Sequence, residues 1–183
     1  MIRGLGGGVR TAAAEPGRRE EMEMPMALKI RRVVTGHDPN GRAVVTIDAP
    51  CTNIVSKRPG HASCVVWTTD TSPADNSGDF DGASREVGTE LPGGTVFRII
   101  AFGPGVAPRV HRTNSIDYAV VLSGAIDMEM DGTVVHLAAG DALVQRGTIH
   151  NWINRGTEPC VIAFVLVDAK PVEAGGRILH PTG

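Results

Sequence analysis

A chain of 183 residues with 18 basic and 20 acidic side chains, formal net charge -2, is long enough for one domain with a sizeable core. It carries no basic stripe that would mark a nucleic-acid partner and no acidic tail. Aromatics reach only 4%, while 23 glycines and 12 prolines favour a turn-rich β protein over a helical bundle.

No apolar run reaches the roughly 18 residues of a membrane span, and the N-terminus lacks the apolar core of a secretory signal. The expectation is therefore a cytoplasmic protein with no membrane partner. Cys51, Cys64 and Cys160 are widely spaced and form no CxxC pair, so neither a zinc knuckle nor a redox dithiol is indicated. Cys160 opens an apolar run and reads as a buried free thiol.

In chain order, residues 1–25 come first: GLGGG, TAAAEPG and RREEME carry almost no apolar pattern and read as a disordered arm. Met22, Met24 and Met26 just before the first patterned segment suggest a later natural start. The main domain is expected over residues 26–170. LKIRRVV, RAVVTID, TNIVS and ASCVVWTTD read as strands separated by Gly, Pro and Asn breakers.

The stretch from Thr71 to Pro92 is polar and broken, a long loop with room for one helical turn and a candidate lid. Its acidic residues, Asp75, Asp79 and Asp81, lack the remaining positions of a calcium loop and read as a solvated face. GTVFRIIAF, IDYAVVLS, AIDMEM, TVVHLA, DALVQ, HNWIN and PCVIAFVLVDA continue as strands, with Asp131-Gly132 as a two-residue hairpin turn. Many short strands with Gly-rich turns predict an all-β sandwich or barrel. Residues 171–183 are expected to be a surface extension.

Two short stretches hold the chemistry. Gly105-VAPRV-His111-R-Thr113-NSI-Asp117-YAVVLS-Gly124 is followed by Gly140-DALV-Gln145-R-Gly147-TI-His150-NWI-Asn154. Strand alternation sets His111 with Thr113, His150 with Trp152, and Asp117 with Ala119 and Val121. An interior Asp117 requires a hydrogen-bond partner or a cation, and two histidines with a carboxylate make a nitrogen-and-oxygen donor set. Taken one at a time, each of these residues has a plain structural role open to it. Of the nearby arginines Arg98, Arg109, Arg112 and Arg146, strand phase turns Arg112 away from His111.

Together the spacings resemble the two motifs of the cupin superfamily. Gly105, His111 and Gly124 match the first in type and spacing; Asp117 stands where glutamate is expected and Thr113 replaces the second histidine. Gly147, His150 and Asn154 match the second; Gln145 replaces its proline, and the stretch after Gly140 is one residue short. The resemblance implies a double-stranded β-helix, or jelly-roll, barrel with a single pocket, often in a homodimer.

It also implies a ligand set of His111, Asp117 and His150 for a divalent transition metal, iron first among iron, manganese, nickel, copper and zinc. Such a two-histidine, one-carboxylate set suits a dioxygenase or related oxidoreductase acting on a small organic acid or aromatic compound. His111 and His150 are the expected catalytic residues, and Thr113, Asn114, Tyr118, Gln145 and Trp152 the expected substrate-binding ones. Two alternatives stay open: a metal-free isomerase, cyclase or lyase using histidine acid–base chemistry, and a small-ligand sensor without chemistry.

Overall fold

The computed structural model describes residues 28–183, so the arm expected over residues 1–25 lies outside the described residues. Strands β1 (Arg31–His37) and β2 (Ala43–Pro50) form an antiparallel hairpin. Asp38 shapes its turn, with Oδ1 accepting from the Asn40 and Arg42 amides at 2.8 and 3.0 Å. The hairpin is tied to the rest by Arg32, whose guanidinium forks onto Asp81 at 2.5 and 2.6 Å.

There follow β3 (Ile54–Val55), β4 (His61–Thr69), a short 3-10 turn at Gly82–Ser84, β5 (Thr95–Phe102), β6 (Ser115–Ser123), β7 (Ala125–Met130) and β8 (Thr133–Ala138). The chain ends with β9 (Ala142–Arg146), β10 (Asn151–Ile153), β11 (Cys160–Asp168), β12 (Val172–Ala174) and β13 (Arg177–Leu179). The fold is all-β, and every strand pair is antiparallel. Among the described residues no helix is long and apolar enough to cross a membrane.

Two sheets enclose the core. One has six strands in the order β3-β4-β5-β11-β6-β9, the other three in the order β10-β7-β8. Their inner faces bury Val96, Phe102, Ile126, Met128, Trp152, Ile162 and Phe164 against one another, the largest favourable term in such a barrel. A smaller cluster on the outer face packs Leu28 and Ile30 over Ala62, Cys64, Ile99 and Ala101. The three cysteines are free, with Cys64 and Cys160 fully buried. Burial pushes the Cys160 thiol up to about 11, so it behaves as a small apolar group.

The motif glycines are turn residues. Gly105, Gly124, Gly140 and Gly147 all take positive φ, a conformation that costs other residues a steric clash. At Gly124 a Cβ would also meet the Pro159 carbonyl oxygen at 2.5 Å. In the β7–β8 hairpin only Gly132 is at positive φ, and Asp131 is not, although the sequence permits it at both positions.

The tail is more structured than its composition suggests. β12 and β13 pair around Gly175-Gly176, and the chain then returns to the site. Thr182 pairs with Arg112 through two backbone hydrogen bonds of 2.9 and 3.1 Å. In and beside the loop from Thr71 to Pro92 three carboxylates have protein partners: Asp70 pairs with Arg85, Asp75 accepts from the Ser77 amide, and Asp81 takes Arg32 of β1 and the Ala83 amide.

Candidate active site

A cavity of about 390 Å³ opens between the sheets, within the range of sites for small organic molecules. Of the sequence-predicted residues, His111, Asp117, Gln145, His150 and Trp152 line it.

His111 and His150 meet because they are directly opposite in an isolated antiparallel bridge, each amide donating to the other's carbonyl at 3.0 Å. Side chains so paired stand next to one another, and the ring centroids are 4.2 Å apart with the planes tilted by 51°. Each Nδ1 faces a backbone carbonyl two residues back, Arg109 at 3.1 Å for His111 and Thr148 at 3.0 Å for His150. A carbonyl can only accept, so Nδ1 carries the proton in both rings and each Nε2 keeps its lone pair. Burial, then the neighbouring His150, pulls His111 down to about 4, and burial lowers His150 as well. Both rings are neutral at neutral pH.

Trp152, two residues beyond His150, stands edge-on to it at 5.7 Å and packs against Phe102 and Phe164. Asn154, the last motif residue, is a structural group. It is fully buried, donates from Nδ2 to the Phe102 and Glu158 carbonyls at 2.8 Å, and accepts from the Gly156 amide at 2.9 Å.

Asp117 faces the cavity from β6 but is already engaged. Ser115 donates to its Oδ1 at 2.5 Å and lies 2.8 Å from the Thr113 hydroxyl. Burial lifts the Asp117 carboxyl to about 6, against the pull of Ser115. Its cross-strand neighbour Gln145 donates weakly to Met128 Sδ at 3.5 Å, and its Oε1 is buried without a partner.

Three predicted binding residues are not in the lining. Thr113 is buried in the Ser115 chain, and Asn114 is half-buried. Tyr118 is 52% exposed on the outer face, because strand alternation sets it opposite Asp117.

The cavity also holds Arg98 from β5 and Arg109, two of the arginines the sequence places near the motifs, together with Lys57, Arg58 and His61 from β4 and the segment before it, which the sequence did not point to. A charged residue inside the apolar run GTVFRIIAF was the available signal for Arg98. His61, edge-on to Phe102, is held at about 4 by burial and then by Arg58, Arg98, Arg109 and Lys57.

The cavity donors meet the needs of the implied metal only in part. The two imidazoles suit it, with Nδ1–H bonded to carbonyls and Nε2 free, the orientation that metal-binding histidines take. The third ligand falls short: among the described residues no three His, Cys, Asp or Glu side chains come together closely enough to share one ion. As placed, His111, Asp117 and His150 do not form the expected centre.

A barrel of two antiparallel sheets with paired histidines on its inner face defines the class, and the comparisons agree. A cupin-domain model matches residues 98–167. The chain is 37% identical to phomopsin biosynthesis cluster protein C' of Diaporthe leptostromiformis, covering 87% of this chain and 89% of that one. It is 34% identical to the cupin-domain-containing oxidoreductase fogC of Aspergillus ruber, with 81% and 77% covered. Against the cupin-domain-containing oxidoreductase virC of Hypocrea virens the identity is 32%, with 77% of each covered. Among solved structures, KdgF from Halomonas sp. superposes with a TM-score of 0.43 at 19% identity over 62% of this chain and 84% of that one. The chain belongs to the cupin family.

Proposed function

We propose that this protein is a small-molecule cupin enzyme of the oxidoreductase type, with its chemistry centred on His111 and His150. The observation that carries the reading is the pair itself: two neutral imidazoles, 4.2 Å apart, each with a fixed tautomer and an unprotonated Nε2 in a cavity of about 390 Å³. An imidazole so held accepts a proton from bound substrate at Nε2, and its neighbour is close enough to receive or return one through a single water. Trp152, Phe102 and Phe164 supply a dry wall that raises the strength of every polar contact made there.

Support for a redox reaction comes from kinship with cupins named as oxidoreductases in Aspergillus ruber and Hypocrea virens. A metal-dependent dioxygenase is the finer version of the reading. It is favoured by the carbonyl-oriented imidazoles and weakened by the placement of Asp117, which does not come close enough to the two rings to share one ion with them.

The test is a screen of small acids, aldehydes and phenols with the full chain, following oxygen uptake and product mass. Oxidised product, lost in both His111→Ala and His150→Ala, supports the reading. Unchanged turnover in either variant contradicts it. A product isomeric with its substrate, formed without oxygen uptake, would favour the acid–base alternative. Elemental analysis of the same samples addresses the finer version: an ion present in the parent and absent from both variants supports a metal held by the pair.

A further inference from the structure

One part of the cavity lining is strongly cationic. Lys57, Arg58, Arg98 and Arg109 line it, and Asp117 is the one carboxylate there. Among the described residues the ion-paired arginines are Arg31, Arg32, Arg85 and Arg155, all outside the cavity lining. Among the described residues the three cavity arginines hydrogen-bond only to neutral groups, although the charge of Asp117 acts on Arg98. Arg58 donates from Nε to the Ala107 carbonyl at 3.0 Å, and Arg98 from Nη2 to the Gly88 carbonyl at 2.6 Å. Arg109 reaches the Thr89 hydroxyl at 3.1 Å and the Gly183 carbonyl at 2.8 Å.

Arg98 is the most informative. Its Nε–H is buried with no hydrogen-bond partner, an arrangement that costs stability unless something else pairs with it. In the sheet it stands between Val65 of β4 and Phe164 of β11, both also in the lining. Charge and apolar surface therefore share one inner face. A guanidinium fork matches a carboxylate with two parallel hydrogen bonds, and the adjoining Phe102, Trp152, Phe164 and Leu166 suit an apolar body.

We propose that the cavity selects an organic carboxylate with a compact apolar or aromatic body, the carboxylate on Arg98 and Arg109 and the body against Trp152 and Phe164. This names the substrate class for the site read above as an enzyme, and it rests on that reading for the site's purpose. An anion in this position would also relieve the field that the four cations exert on His61.

The experiment is calorimetric titration of the full chain with benzoate and hexanoate, with their neutral isosteres benzamide and hexanamide, and with inorganic phosphate. Acids binding at least about tenfold more tightly than their amides, the value of one charge-assisted hydrogen bond, is the expected result. In Arg98→Met that preference should fall to about threefold or less, with Arg98→Lys in between. Equal binding of acids and amides overturns the proposal, as does binding of phosphate alone or of none of the probes. Acids that bind with the preference but are never turned over contradict the enzyme reading alone. Turnover of neutral substrates, with no preference for acids, contradicts this proposal alone.

Discussion

Strand β6 presents two faces of opposite character. Asp117, Ala119 and Val121 point into the barrel and are nearly inaccessible, while Tyr118, Val120 and Leu122 point outward at 52%, 44% and 49% exposure. The usual arrangement would bury the aromatic and expose the carboxylate. The same inversion extends to β9, where Gln145 is buried and Val144 exposed. Buried polar groups are kept where a site needs them, and here they border the imidazole pair. The outer face carries no comparable chemistry. The proposed function belongs to the inner face, and substitutions on the two faces should then differ sharply in effect.

The largest effect should follow from the imidazoles. Replacing His111 or His150 with alanine should lower kcat/KM by roughly two to four orders of magnitude on any substrate the enzyme turns over, with folding verified by circular dichroism. Trp152→Ala removes the aromatic that joins His150, Phe102 and Phe164. Urea unfolding should register a loss of about 3–5 kcal/mol. Asn154→Ala strips two carbonyls and one amide of their partner and should cost about 1–3 kcal/mol in the same measurement.

A smaller effect concerns acid. His61 has a folded value of about 4, set first by burial, against an ordinary 6.5. Between those values the unfolded chain binds the additional proton, so the stability His61 contributes is present above 6.5 and lost as pH falls toward 4. In His61→Gln the acid-induced loss over that window should be smaller by about 1–2 kcal/mol, read from denaturation midpoints as a function of pH. Smallest of all, Val144→Glu on the outer face should leave stability within about 0.5 kcal/mol and acid binding unchanged. A large change in acid binding there would erase the distinction between the faces.

Much of this was legible in the residues. Many short strands with Gly-rich turns pointed to an all-β sandwich or barrel, and the spacing of His111 and His150 from Gly105, Gly124 and Gly147 singled out the barrel and the histidine pair through its resemblance to the cupin motifs. Alternation along β6 already opposes Tyr118 to Asp117, and following it strictly removes Tyr118 from the site. The cationic wall was harder to see. Lys57, Arg58, Arg98 and Arg109 come from separate segments and converge only through the pairing of β4, β5 and β11. The commitment of Asp117 to Ser115 was likewise hidden, since it depends on side-chain reach rather than on spacing. In the tail, Gly175-Gly176 marked a turn, but nothing local announced that Thr182 would pair with Arg112.

The central claim is the pair of neutral, tautomer-fixed imidazoles. It is tested most directly by long-range proton–nitrogen correlation spectra of the histidine-labelled full chain, from about pH 8 down to about pH 4. Nδ1–H tautomers are expected for both His111 and His150, both neutral at pH 7, with His111 protonated only near 4 and His150 below its ordinary value. A proton on Nε2 in either ring, or titration of either near 6.5, would contradict the claim.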